Sequence, residues 1–426
     1  MRPRLTVLIL LITTTLLAAA SSDWPQWRGP NRTGLSSETG LLTTWPEGGP
    51  KLAWKVTGLG SGYSTVSIAN DRIYLLGAKG RTEYLRCLNL QDGKTLWSTE
   101  VGAERGSYPG PRSTPTVDGD RVLALSSDGK VTCVSADKGT VLWKRDLQAD
   151  FAGRHGKWAY AESPLVDGNR VICTPGGEAA ALVCLDRANG KEIWRTAVRG
   201  LKVKPRESKG KMRGPGTYGE AGYASAVVGE FQGVKQYVQF LAGGVVGVDA
   251  ANGKLLWHYD APGTGSNANC STPIVAEDSV FAAASYNVGG GRAKITRAGD
   301  AWKAEQVYFA DEMQNHHGGM VLVNGHVYGT TRGTLVCLDF KTGKVRWSAR
   351  SAGKGAVTYA DGHLIVRGED GVVCLVEANP QEYKEKGRFK QPDRSRERAW
   401  AHPVVAGGKL YLRDQDVLLC YDLRTR

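Results

Sequence analysis

The sequence predicts an all-β fold, an eight-bladed β-propeller of four-stranded antiparallel blades, and three observations carry that prediction. Apolar residues come in short runs rich in Val, Leu and Tyr, bounded by Gly, Asp and Asn, with almost no helical period. One phrase, Cys-Leu-Asp followed by Gly-Lys and then Trp, recurs along most of the chain. A strand near the front, Lys51 to Lys55, carries the Leu-Trp pattern that the final repeat lacks.

The phrase reads Cys87-Leu88-Asn89, Gly93-Lys94, Trp97 in its first copy. It returns around Cys133, Asp137, Gly139 and Trp143, and again as Cys184-Leu185-Asp186, Gly190-Lys191, Trp194. Later copies are Val248-Asp249, Gly253-Lys254, Trp257, and Cys337-Leu338-Asp339, Gly343-Lys344, Trp347. Degenerate copies stand at Cys374-Leu375 and Cys420-Tyr421-Asp422. Before each comes a second phrase, a small residue, often Pro, and two apolar residues, as in Ser113-Thr114-Pro115 and Ser271-Thr272-Pro273. Together the phrases describe four short strands, with Asp and Gly making the tight turn between the third and fourth.

The Trp residues recur at roughly fifty to sixty residues, except that the gap from Trp257 to Trp347 is about double. A blade is therefore hidden there, opening at Ser271 with an outer strand over Glu305 to Phe309. First-strand phrases open near Ser64, Ser113, Ser163, Ala224, Ser271, Gly318, Gly355 and Pro403, which makes eight blades, or seven if one degenerate copy forms no sheet. Such a sheet buries its two faces only against neighbours, and closing the ring with Lys51 to Lys55 removes the free edge.

Arg2 and Arg4, the apolar stretch Leu5 to Leu17 and Ala18-Ala19-Ala20 read as a secretory signal. The expected organisation is a signal at 1–20, a strap at 21–50 and the propeller at 51–426, soluble in the periplasm or outside the cell, without a membrane span. The net charge of +13 is patchy. It gathers at Arg199 to Arg213 and Lys384 to Arg398, either as solvated loops or as contacts for an anionic glycan, a membrane surface or an acidic partner. No motif for nucleic acid is present. Six of the eight cysteines share one repeat position, with Val248 filling it once, so they read as core slots. Only Cys173 and Cys184 are candidates for a disulfide.

The Leu-Asp-x-x-x-Gly-Lys-x-x-Trp repeat resembles that of the pyrroloquinoline-quinone (PQQ) propeller family, from roughly Lys51 to Asp422. The segment Asp23-Trp24-Pro25-Gln26-Trp27-Arg28-Gly29-Pro30-Asn31-Arg32-Thr33-Gly34 resembles the leader of PQQ-like propellers. That family includes quinoprotein alcohol dehydrogenases, which use PQQ with Ca²⁺, and BamB-type envelope scaffolds, which bind no quinone. This chain departs from the former in lacking a Cys-Cys pair and a haem motif. It departs from the latter in lacking a lipid-modified Cys after the signal.

In a propeller, the loops leading into the innermost strands converge on one mouth of the channel. Those loops carry Arg112, Glu162, Tyr223, Asn269, His316, His317 and His402, with Trp158, Trp400, Tyr108, His155 and Glu220 beside them. Four of the seven histidines fall there. His316, His317 and Glu162 are the candidate acid–base residues. Adjacent residues on an extended chain point opposite ways, so His316 and His317 are not expected to face one metal. Arg112, Trp158, Tyr223, Asn269, Trp400 and His402 are the candidate ligand contacts, Arg112 for a carboxylate or sugar hydroxyls and Trp400 for a quinone or sugar face. The readings are a propeller binding a small molecule or glycan, in one form an oxidoreductase of alcohols or sugars; a BamB-like scaffold with envelope partners; and a polysaccharide lyase or hydrolase.

Overall fold

A computed structural model describes residues 23–201, 206–208, 211–213, 219–263 and 268–425. The expected signal at 1–20 and part of the basic 199–213 segment lie outside the described residues. Within that segment, Arg206–Ser208 pairs with Lys211–Arg213 as a small separate hairpin.

Eight four-stranded antiparallel sheets follow one another around a ring. Their innermost strands are Ser67–Ala69, Thr116–Asp118, Leu165–Asp167, Val227–Phe231, Ile274–Ala276, Met320–Val323, Gly355–Ala360 and Val404–Ala406, which open blades 1 to 8 in that order. The hidden blade is blade 5, and its outer strand is Ala301–Ala310. The eighth blade is completed from the front of the chain: Leu52–Val56 pairs antiparallel with Val417–Asp422, with Trp54 opposite Cys420.

The core is a ring of eight apolar layers, each between two neighbouring blades. Middle strands are buried on both faces, as in Leu182–Asp186, while outer strands such as Val141–Asp146 are exposed or half-buried at every position but Trp143. This explains the recurrent phrase physically. Cys87, Cys133, Cys184, Cys337 and Cys420 each lie opposite a Trp of the next strand in the same sheet. That Trp then packs on the turn glycine of the following blade. Gly139, Gly190 and Gly253 all have φ near +70° (70°, 72° and 77°). A Cβ there would fall 2.5, 2.7 and 2.5 Å from Trp97, Trp143 and Trp194 respectively. The indoles of Trp97, Trp143 and Trp347 also donate to Ala136 O, Arg187 O and Asn379 O of the next blade, at 3.2, 2.9 and 2.8 Å. Trp and Gly of the repeat are two halves of an inter-blade latch.

One slot is corrected. In blade 4 the residue opposite Trp257 is Gly247, not Val248. The indole tips inward over it, so that a Cβ at Gly247 would meet Trp257 at 2.0 Å, and its Nε1 donates to Gln236 Oε1 at 2.7 Å within the blade. All eight cysteines are free. Cys173 lies opposite Val183 and Cys184 opposite Ile172, so the two face different inter-blade layers and cannot bridge.

The leader segment has a role that its motif did not reveal. It threads the centre of the ring and touches the inner wall of every blade. Trp24 pairs with Ile68, and Pro25 O accepts from Val117 N at 2.8 Å. Arg32 donates to Ser163 O at 3.0 Å, to Pro164 O and to Ala226 O at 2.9 Å. Trp27 Nε1 donates to Thr272 Oγ1 at 2.9 Å, and Arg28 to Met320 O. Ser36 N donates to Tyr359 O at 2.8 Å and Ser36 Oγ to Val405 O at 3.2 Å. Arg28 and Arg32 are each 3% exposed, and their guanidinium donors satisfy carbonyls that the short inner strands leave unpaired.

Candidate functional site

The strap occupies the channel, so the mouth becomes a pocket with a floor. The cavity measures about 340 Å³, a size suited to a small ligand. Trp27 forms part of its floor, and all eight connections into the inner strands line its wall. They supply Tyr63, Tyr108 and Arg112, Trp158, Tyr223, Cys270, His316 and His317, Lys354, and Arg398 and Trp400. Two further residues, Tyr286 and Glu369, come from turns between second and third strands.

Of the residues singled out from sequence, Tyr108, Arg112, Trp158, Tyr223, His316, His317 and Trp400 do line the cavity. The others stand behind it or elsewhere. His402 is 3% exposed, stacks on Trp27 at 4.4 Å and sits 2.9 Å from His317 O through Nε2. Asn269 is fully buried and its amide donates to Leu241 O and Ala242 O at 2.6 and 3.0 Å, holding the loop. Glu162 accepts from Thr174 N and, at 2.6 Å, from Thr174 Oγ1, with Gln239 Nε2 at 3.2 Å. Burial raises its pKa to about 7, against those hydrogen bonds and the charge of Arg32. Glu220 lines a separate hollow with Phe151 and Arg199, and His155 packs on Tyr160.

Sequence reasoning missed Trp27, Tyr63, Cys270, Tyr286, Lys354 and, at the centre of the site, Glu369. It follows the second strand of blade 7, His363–Gly368, and an antiparallel meander returns that turn to the same mouth as the inner-strand loops. Its carboxylate is the hub of the site. Oε1 accepts from Trp400 Nε1 at 2.7 Å and lies 2.8 Å from His317 Nε2 and 3.1 Å from Lys354 Nζ. Oε2 lies 2.9 Å from Arg398 NH1. Burial alone would raise its pKa, but the bonds from His317 and Trp400 and the Lys354 charge outweigh it and hold the carboxyl below its usual range.

His316 and His317 lie side by side with ring centroids 4.9 Å apart, not on opposite faces, because the chain bends at His317 and Gly318 and is not extended. Asn315 clamps that bend through Gly319 O and Thr330 O at 3.0 and 2.9 Å. Gly319 has φ +65°, and a Cβ there would fall 1.9 Å from the Arg28 guanidinium below. Burial, then the neighbouring His317 and Lys354, lowers the His316 pKa to about 3, so its ring is neutral at pH 7. His317 is lowered too, by burial more than Glu369 raises it. With Nε2–H given to Glu369, its Nδ1 is the bare nitrogen, and it has no partner.

Aromatic rings form most of the wall. Trp400 lies 4.6 Å from Tyr63, 4.8 Å from Tyr108 and 5.2 Å from His317 between centroids. Trp158 lies 5.7 Å from Tyr223, whose hydroxyl accepts from Trp158 N at 3.1 Å. Arg112 sits over Tyr63 and Tyr108 at 5.9 and 6.0 Å.

Likeness to the quinoprotein dehydrogenases of the PQQ propeller family would imply PQQ with Ca²⁺, and the donor set does not fit it. Calcium takes six to eight oxygen ligands. Glu369 is the carboxylate lining the cavity, and both its oxygens are engaged by cations and N–H donors. Among the described residues no group of three or more His, Cys, Asp or Glu could hold a metal ion. Cys270 stands without an adjacent cysteine, its thiol pushed up to about 12 by burial.

The ring and its floored mouth thus define a β-propeller with a cavity at one mouth of its channel. Residues 81–349 and 296–382, most of the chain, match the profile of the family described as outer membrane protein assembly factor BamB, and the chain belongs to that family of PQQ-repeat propellers. It is 28% identical over 233 residues to the outer membrane protein assembly factor BamB of Kangiella koreensis, covering 52% of this chain and 48% of that one. It therefore spans about half the length of that relative. To the BamB of Moranella endobia it is 24% identical over 302 residues, 67% of each chain. A polyvinylalcohol dehydrogenase of a Pseudomonas species is 28% identical over 168 residues, 35% of this chain and 23% of that protein. Among solved structures, BamB from Moraxella catarrhalis superposes with TM-score 0.60 at 14% identity, over 88% of this chain and 98% of that one. A quinohemoprotein alcohol dehydrogenase from Comamonas testosteroni gives 0.62 at 13% identity, over 96% and 82%. These structural likenesses speak for the fold alone.

Proposed function

We propose that this protein is a cell-envelope propeller that binds a small molecule in its central mouth. The supporting observation is the floored cavity itself, to which all eight connections contribute a side chain while the strap closes the channel beneath. A ring that served only as a frame would need neither that convergence nor the hydrogen-bonded hub at Glu369. In this reading Arg112, Trp158, Tyr223 and Trp400 contact the ligand. His317, fixed in one tautomer by Glu369, presents a neutral imidazole, and His316 stands beside it. Asn269, Glu162 and His402 hold the loops that carry them. The BamB relatives and the signal-like front of the chain support that location; among the described residues no helix is long and apolar enough to cross a membrane.

The test is calorimetric titration of the full chain with a panel of sugars, aromatic acids and peptides, in parallel with Trp400→Ala. Saturable binding lost in Trp400→Ala supports the reading, and binding unaffected by the change sinks it. A second reading, a scaffold with envelope protein partners, is favoured by the BamB relatives. Apolar side chains exposed on outer strands, Leu96, Leu142 and Ile193, would be its contacts. Co-purification from envelope extracts, lost when those three become Ser, supports it; retention refutes it.

A further inference from the structure

We propose that the mouth selects a carboxylate attached to a ring-shaped body, with Arg112 as the anion receptor. The inference rests on the cavity reading and names the ligand class.

It starts from a charge imbalance. The cavity wall holds three cations, Arg112, Lys354 and Arg398, and one carboxylate, Glu369. Lys354 and Arg398 both engage Glu369, at 3.1 and 2.9 Å. Arg112 is apart from that cluster, separated by the Tyr63, Tyr108 and Trp400 rings. Its own hydrogen bonds are two long ones to backbone, Gly110 O at 3.4 Å and Tyr108 O at 3.3 Å. It forms no ion pair among the described residues. A guanidinium carries five donors in a planar fork matched to a carboxylate. Here it is held by two ring faces and offers that fork with its donors mostly unused. Elsewhere around the channel Arg32, Arg367 and Arg413 each donate to carbonyls or amides of the wall while buried, out of reach of the cavity.

The body of the ligand follows from the rest of the wall. Trp27, Trp158, Tyr223 and Trp400 offer ring faces and edges, and these suit either an aromatic ring or the C–H face of a pyranose. Tyrosine hydroxyls and the neutral histidines supply donors and acceptors for hydroxyl groups. An acidic sugar and an aromatic carboxylate share this chemistry, and the test separates them.

The test is calorimetric titration of the full chain with matched pairs. One pair is a glucuronate-ended disaccharide and its glucose-ended counterpart. The other is indole-3-acetate and indole-3-ethanol. The carboxylate of at least one pair should bind ten- to a hundredfold more tightly than its neutral partner, about what one charged hydrogen-bonded contact supplies. Which pair responds identifies the body. Arg112→Ala should abolish the preference with the melting temperature nearly unchanged, and Arg112→Lys should restore part of it. If Arg112→Ala does not fold, Arg112→Lys and Lys354→Gln carry the test: the former should weaken the preference more than the latter. Equal binding of both members of each pair overturns the inference but leaves the cavity reading standing, as does a preference that survives loss of Arg112. Binding of no member of either pair overturns the inference, and the wider panel then decides the cavity reading separately.

Discussion

Gly190→Ala and Trp143→Ala test the inter-blade latch as a coupled pair. Gly190 sits at φ +72°, a conformation that costs an L residue about 1 kcal/mol. The added methyl would also fall 2.7 Å from Trp143 Cε3, a contact that forces the indole or the turn to move. That adds about 1–3 kcal/mol of overpacking. Trp143 is 8% exposed and donates to Arg187 O at 2.9 Å. Its removal leaves a cavity between blades 2 and 3 and an unmet carbonyl, about 3–5 kcal/mol. The two costs must not add. Once Trp143 is alanine, the methyl at position 190 meets no ring, and Gly190→Ala should cost only the backbone share of about 1 kcal/mol. A double-mutant cycle in urea, read from midpoints at a common slope, should therefore show a coupling of about 1–3 kcal/mol in the direction of relief. Strictly additive costs would refute the latch and return Trp143 to ordinary core packing.

Four further outcomes follow from the strap and the site. Arg32→Ala strands the carbonyls of Ser163, Pro164 and Ala226 in the channel and should cost about 3 kcal/mol, read as a lowered melting temperature; a loss under 1 kcal/mol would contradict the strap's role. The Glu369 pKa is depressed in the folded chain, so the unfolded chain binds the extra proton as pH falls. The carboxylate's stabilisation is full above about pH 4.3 and fades below it, and Glu369→Gln should flatten that acid limb of the melting curve. Glu162 has the opposite sign: its folded pKa is raised to about 7, so its contribution is present below about pH 4.3 and lost as pH rises through 7. The melting temperature of Glu162→Gln should gain on the native chain's between pH 5 and 8, and a widening deficit would contradict the assignment. Thiol titration should find the native cysteines slow, with Cys270, the one not fully buried, reacting first and protected by ligand.

The ring was legible because its signal is written many times over. Most blades repeat a turn Gly with positive φ, a Trp that lies on the neighbouring turn and a small residue opposite that Trp, so the period survives where one copy departs. The hidden fifth blade illustrates this: Tyr308 stands where Trp is expected and packs on Gly343 in the same way, at 2.3 Å from a built Cβ. The slot at Gly247 was misread by one residue because this copy runs Gly247-Val248-Asp249, with Gly where the others carry Cys; the bulge that follows is common to these blades and marks the same position in each. The mouth was half legible. Loops ahead of the inner strands could be read off the repeat, which found Arg112, Trp158, Tyr223, His316, His317 and Trp400. Whether a loop side chain turns into the cavity or back into its own loop is a tertiary matter, and Glu162 and Asn269 turn back. Glu369 and Tyr286 lie on the other set of turns that an antiparallel meander brings to the same end. Trp27 was seen only as part of a leader motif, since nothing local in Asp23 to Gly34 reveals that the segment threads the ring.

The most direct measurement is an experimental structure of the full chain soaked with the tightest ligand from the titration panel. Density for that ligand above Trp27, with its carboxylate on Arg112 and its body against Trp158 or Trp400, is the expected result. Density confined to the outer groove between Trp257 and Phe309, with the mouth filled only by its own side chains, would contradict the account.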